Sequence, residues 1–270
     1  MLPSFSFRCL IVATNLVFLP MMELLFMGRN LIRLDSCEST NNFAASLLEQ
    51  NAPEGTLIVA NEQTGGRGQR GKSWYSEPGK NLTLTYILRP LSLRIADQFL
   101  LNKTIAIAVA RTVELISPGS FIRIKWPNDI FLENRKLAGI LVETAVKGSQ
   151  IVSCMAGIGL NVNQTQFPAD SGNPVSLAME LETTLVLDDV MQLLSKQMEV
   201  YYFRFSSSQK ARLEEEYDSL LWKRGEVYPF KLNGDDFLAE IVQVDVQGKL
   251  VLKTPDGEER RFSHGEIQWF

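Results

Sequence analysis

A single histidine and three cysteines are all the imidazole and thiol chemistry in this 270-residue chain. His264 lies in Ser-His-Gly-Glu near the C-terminus, which reads as a turn. One imidazole so placed excludes Ser-His-Asp and Cys-His hydrolase chemistry and histidine-rich metal sites. Cys9, Cys37 and Cys154 are odd in number and share no close spacing, which excludes a disulfide framework and a zinc site and suits a reducing compartment. An excess of positive charge is also absent. At a net charge of −4, general affinity for nucleic acid is not expected, and any basic site has to be local. Chemistry is left to lysine, arginine, carboxylate and amide, the groups that stabilise charge rather than carry covalent intermediates.

Long uninterrupted apolar runs are missing too. Residues 5–27 are largely apolar with Arg8 ahead of them, but Asn15, Pro20 and Glu23 interrupt the run and no small-x-small cleavage site precedes Gly28. Three readings of residues 1–29 stay open: export, an upstream translation start with Met21, Met22 or Met27 as the true one, or a packed or membrane-touching segment. The stretch is too short, and too poor in polar turns, for a complete winged helix.

With 45% hydrophobic and 21% charged residues, the rest describes an ordinary globular chain long enough for one large domain and a small one. Strands are expected at 31–34, 56–61, 82–88, 121–125, 130–132, 136–144 and 151–160. Leu82 to Leu88 alternates Leu-Thr-Leu-Thr and predicts one buried face. Helices are expected at 43–50 behind a Ser39-Thr40-Asn41-Asn42 cap, at 96–116, 190–205 and 209–221. The pattern predicts an α+β domain over 30–222 on a mixed, largely antiparallel sheet. Beyond Trp222-Lys223-Arg224-Gly225, four short strands between Asn-Gly-Asp, Gln-Gly and Pro-Asp-Gly turns predict a small SH3-like β-barrel over 223–270.

Two segments carry the chemistry. Gln63-Thr64-Gly65-Gly66-Arg67-Gly68-Gln69-Arg70-Gly71-Lys72-Ser73-Trp74 packs four glycines and three cations into twelve residues, so backbone amides and positive side chains could close over an anion. Gly71-Lys72-Ser73, five residues after Gly66, lies close to a Walker loop, but Trp-Tyr-Ser-Glu-Pro-Gly follows as a turn, and the helix a Walker site needs is missing. The second segment is Lys125-Trp126-Pro127-Asn128-Asp129, running across a hairpin into Arg135-Lys136-Leu137-Ala138-Gly139.

Together with Ser39-Thr40-Asn41, the strand Lys136 to Glu143, Gly157-Ile158-Gly159-Leu160-Asn161 and the late Gly265-Glu266-Ile267, these motifs resemble those of biotin protein ligases, in the same order from about Asn30 to the end. The resemblance implies a biotin/lipoate ligase domain of the class II aminoacyl-tRNA synthetase type. It also implies a ligase that joins biotin to ATP with Mg²⁺ as biotinyl-5′-AMP and passes biotin to one lysine of a biotin carboxyl carrier domain.

On that resemblance, Ser39, Thr40, Asn41 and Gln63 serve biotin's ureido ring with backbone near Gly66, Arg67, Gly68 and Gln69, although Ser39-Thr40 also reads as a plain helix cap. Gly139 and Leu141 would form an apolar wall for the thiophene ring and valeryl tail. Lys136 would hold the biotin carboxylate beside the α-phosphate and stabilise charge on phosphorus during attack; Arg70 and Lys125 would assist as catalytic cations. Asp129 would bind Mg²⁺ or orient the incoming amine. Arg67, Arg70, Lys72, Trp74, Lys125, Asn128 and Asn161 would contact the nucleotide; Trp74 reads either as core or as a cover, and Trp126 as packing.

The chain departs from the family at Gln69 and Lys72, where arginine is expected, which implies a looser grip on the acyl adenylate. The expected protein is a cytoplasmic ligase of the monofunctional type, without an N-terminal DNA-binding domain, nucleic acid or stable membrane association; a homodimer is compatible. The rivals are a lipoate or octanoyl transferase of related fold and a biotin-binding protein without turnover.

Overall fold

The computed structural model describes residues 23–90, 93–169, 171–207 and 209–270. The expectations placed on residues 1–22, including starts at Met21 and Met22, lie outside the described residues. The end of that extension is built into the fold: Met27 is fully buried, and the Leu25, Phe26 and Met27 amides all donate to the buried carboxylate of Glu199. Three N–H groups compensate a charge that burial would otherwise penalise heavily.

Seven strands form one path, β1 (Leu31–Cys37), β2 (Leu57–Gln63), β3 (Leu82–Leu88), then β8 (Gln150–Leu160), β7 (Arg135–Lys147), β6 (Asp129–Leu132) and β5 (Ile122–Lys125); β4 (Leu93–Arg94) pairs with β8 off this path. Only β1 and β2 are parallel; α1 (Thr40–Glu49) provides their crossover. The sheet is mixed, as the sequence predicts.

The helices α2 (Gln98–Ile116), α4 (Leu187–Ser206) and α5 (Lys210–Leu220) pack as a layer with the sheet. In α2 the alternation Ile105-Ala106-Ile107-Ala108-Val109-Ala110 is buried all round, and its alanines admit close neighbours where larger side chains would not. On the other face α1 covers only part of the sheet, packing Ala44 on Ile58 and Ile87. A short helix, α3 (Leu177–Leu181), has Ser176 as a side-chain cap for Met179; the sequence reading missed it.

Three local expectations need correction. All seven residues of β3 are buried, because Thr83 and Thr85 bond within the fold: Thr83 to the Ala60 carbonyl, Thr85 to Thr40 and Asn41. The first helix begins at Thr40, with Ser39 extended at the N-cap but making no side-chain cap bond. The acceptor for the Thr40 amide is instead the Gln63 side chain, 2.8 Å away. Finally, the C-terminal sheet has five strands, β9 (Val227–Leu232), β10 (Asp235–Val244), β11 (Leu250–Lys253), β12 (Glu259–Phe262) and β13 (Ile267–Trp269), in the order β12-β11-β10-β9-β13. Its antiparallel pairing suits the SH3-like form; β13, three residues long, escaped the sequence reading.

The two sheets share one apolar cluster. Polar bonds fix their relative placement: buried Lys103 of α2 donates to the Val244 carbonyl at 2.7 Å, and Trp126 Nε1 to the Gly248 carbonyl at 2.9 Å. Gly248 has φ +83°, and a methyl there would run into the Phe99 ring. The docking brings the C-terminal sheet against α2 and the turn that follows β5.

Candidate active site

Between these parts lies a cavity of about 640 Å³, within the usual range for a small-molecule site. Its floor is the face of β7 and β8 that carries Gly139, Leu141, Gly157 and Gly159. Gly139 and Gly159 are direct cross-strand partners. The Trp74 indole lies against both: a Cβ on Gly139 would stand 3.1 Å from it, and one on Gly159 only 2.2 Å. Trp74 is therefore a cover over a glycine strip rather than core, and its Nε1 is buried without a partner among the described residues. A Cβ on Gly157 would strike Asn41 Oδ1, so Asn41 is seated by the same absence of side chains.

At one end Ser39, Thr40, Asn41 and Gln63 meet as expected. Gln63 Oε1 accepts from the Thr40 amide and hydroxyl; Asn41 Nδ2 donates to the Leu141 carbonyl at 3.2 Å and to Glu143 at 2.7 Å. Arg67 donates to Asn42 Oδ1 and to both carboxylate oxygens of Glu143, at 3.1 and 3.0 Å, which latches the glycine loop to α1 and β7. Glu143, at the end of the Lys136 to Glu143 strand motif, thus serves to anchor Arg67 and Asn41.

The opposite end is cationic. Five cations line the cavity, Arg67, Arg70, Lys72, Lys125 and Lys136, against one carboxylate, Asp129. In a chain of net charge −4 this is a local anion trap. Lys136 Nζ pairs with Asp129 Oδ1 at 2.8 Å, and its backbone is clamped by the loop after β8, donating to the Asn173 carbonyl and accepting from the Val175 amide. Burial pushes the Lys125 ammonium below its ordinary pKa; Asp129 opposes this, and Lys136 and Lys72 add to it. Arg70, in the left-handed region at φ +56°, reaches the His264 carbonyl and ties the loop to the C-terminal sheet. That sheet supplies a wall, His264, Gly265, Ile267, Gln268 and Trp269, which the sequence reading did not place at the site. Burial first, then Arg70 and Lys72, lower the His264 pKa, with Asp129 pulling the other way.

Gly68, Gln69, Lys72 and Asn128 also line the cavity, whereas Gly66 and Asn161 do not. Asn161 is buried behind the floor, its Nδ2 donating to the Val175 carbonyl, so it braces the loop that clamps Lys136. Asn128 spends its amide on the Ile140 carbonyl and fixes the turn into β6. No cluster of three potential metal ligands occurs among the described residues. A lone carboxylate suits Mg²⁺ that arrives on nucleotide phosphates, the usual manner for this ion, and Asp129 is the residue that would hold it.

Comparison with known proteins gives this geometry a family. Residues 34–163 match the biotin/lipoate A/B protein ligase family. The chain is 34% identical over 251 residues to the bifunctional ligase/repressor BirA of Bacillus spizizenii, covering 88% of this chain and 73% of that protein. The chain belongs to the biotin protein ligase family. A biotin--[acetyl-CoA-carboxylase] ligase of Paracoccus denitrificans is 37% identical over 106 residues, 39% of this chain and 43% of that one. Among solved structures, the biotin protein ligase of Aquifex aeolicus in complex with biotin and ATP superposes with a TM-score of 0.74 at 24% identity, over 90% of this chain and all of that one, a likeness of fold.

Proposed function

We propose that this biotin ligase family member activates biotin with ATP and transfers it to a lysine of a biotin carboxyl carrier domain. The observation that carries the reading is one cavity that joins a glycine floor to four cations, Arg70, Lys72, Lys125 and Lys136, with Arg67 latched at its other end, built from the family's motifs. In the first step a biotin carboxylate oxygen attacks the α-phosphorus and the bond to the β-phosphate oxygen breaks, releasing pyrophosphate. Lys136 holds the two anions together, and Lys125, Lys72 and Arg70 spread their charge. Asp129 would hold Mg²⁺ that arrives with ATP, and the ion would shield phosphate charge. In the second step the carrier lysine's amine attacks the acyl carbon, AMP leaves and the amine's proton is lost to solvent, and we assign Asp129 to orient that amine. The nucleophile belongs to the partner, so the chain needs none of its own.

The expected division at 222/223 is supported by the second sheet, which begins at Val227. No helix among the described residues is long and apolar enough to cross a membrane. We place the reaction in the cytoplasm, where carrier, ATP and reduced thiols occur together, and assign nucleic acid no part in it. The octanoyl transferase rival needs a cysteine nucleophile, but Cys154 is fully buried and burial pushes its thiol pKa far up. The test is incubation with ATP, Mg²⁺, biotin and a carrier domain. Avidin-detectable label on wild-type carrier, absent when its target lysine is arginine, is expected; label from lipoate in place of biotin would overturn the assignment.

A further inference from the structure

Lys125 and Lys136 line the same cavity but are held differently. Lys136 is paired with a carboxylate. Lys125 makes no ion pair or side-chain hydrogen bond among the described residues. Its Nζ lies instead 5.2 Å from the centroid of Phe131, 5.0 Å from Trp222 and 5.1 Å from Trp269, three rings from three parts of the chain. Phe131 is on β6, Trp222 follows α5 with its amide bound to the Ile124 carbonyl, and Trp269 is on β13 of the C-terminal sheet. The two tryptophans touch each other, centroids 5.6 Å apart, and Phe131 touches Trp222 at 5.5 Å.

An aromatic box attracts an ammonium through the ring quadrupoles without neutralising it, whereas a carboxylate at that place would cancel the charge a phosphate needs. We propose that Phe131, Trp222 and Trp269 are positioning residues whose rings hold the Lys125 ammonium, unneutralised, toward bound nucleotide phosphate, so that the C-terminal sheet controls ATP affinity through Lys125. This deepens the proposed function and rests on it. Trp269 also lines the cavity, whereas Trp222 does not, so Trp222 isolates the indirect effect.

The test is a double-mutant cycle on the full chain, read as ATP affinity by calorimetry, which requires no turnover. Trp222→Leu is expected to weaken ATP roughly tenfold while biotin affinity stays within about twofold; Trp222→Phe, which keeps a ring, recovers most of the loss. In a Lys125→Met background, Trp222→Leu adds less than about twofold, because its target is gone. Trp269→Leu carries the same expectation if Trp222→Leu does not fold. Equal losses with and without Lys125, no gain from phenylalanine, or no ATP binding by the wild type would each overturn the inference. Biotin-dependent pyrophosphate exchange on the same samples tests the ligase reading separately: exchange with an additive cycle sinks the box and spares the enzyme.

Discussion

The glycine strip offers the sharpest mutational test of how the cavity is made. Gly159 lies in β8 with an ordinary extended backbone, so the only obstacle to Gly159→Ala is what its methyl meets. That is the Trp74 indole, with Cε2 at 2.2 Å and Cζ2 at 2.5 Å. Carbon atoms settle about 3.5–4.0 Å apart, so the ring must retreat by roughly 1.3–1.8 Å, and the way out is into the cavity. Among the described residues Trp74 makes no hydrogen bond through Nε1 that would resist the shift. Overpacking of this size costs about 1–3 kcal/mol, here falling on the ligand that needs the displaced space, so biotin affinity should fall about 5- to 150-fold. Stability should change by less than about 1 kcal/mol, or about 3 °C in Tm, because the indole is only partly buried and free to move. Calorimetric titration with biotin, alongside thermal unfolding, measures both. Wild-type affinity in a folded Gly159→Ala protein would refute the strip as the floor of the biotin site, and a large drop in Tm would show that Trp74 is core after all.

Glu143→Gln should release Arg67 and Asn41 together. The pair is partly exposed, so the stability loss stays below about 1 kcal/mol, but trypsin should cut at Arg67 and Arg70 faster, and an unchanged cleavage rate would contradict the latch. His264, as the only histidine, gives a single imidazole signal in proton NMR, expected to titrate below its usual 6.5. Because its folded pKa is lowered, its contribution to stability is complete above 6.5 and is lost as the pH falls below that value through the folded pKa; bound ATP, by adding negative charge beside Arg70 and Lys72, should move the titration upward. Gln69→Arg, which supplies a fixed cation to the cavity wall, should slow dissociation of biotinyl-5′-AMP, and an unchanged off-rate would count against a loose loop.

Legibility from sequence follows the range of the forces involved. The strands β2, β3, β7 and β8 and the long helix α2 carry apolar patterns strong enough to read directly, whereas the glycine loop, which alone also reads as a surface turn, marks the site only because Lys125 to Asp129 and the other motifs follow it in order. Ser39 shows where local reading stops: the cap position is right, but the acceptor for the helix's first amide, that of Thr40, is Gln63 of β2. Thr83 and Thr85 look like an exposed face until Thr40, Asn41 and Ala60 are brought over them. Amides serve backbone or ligand equally well, so nothing local predicts that Asn128 and Asn161 bond to carbonyls of Ile140 and Val175. The wall from His264 to Trp269 was hidden because it is a turn and a three-residue strand whose role depends on how two sheets dock.

The most direct test of the account is exchange of labelled pyrophosphate into ATP, with Mg²⁺, by the wild type and by Lys136→Met, which keeps the side-chain stem and removes the ammonium. The account predicts exchange that requires biotin, ignores lipoate and octanoate, and falls by at least about 100-fold in the variant while it stays folded. Exchange at the wild-type rate without the Lys136 ammonium, or none from the folded wild-type protein, would contradict it.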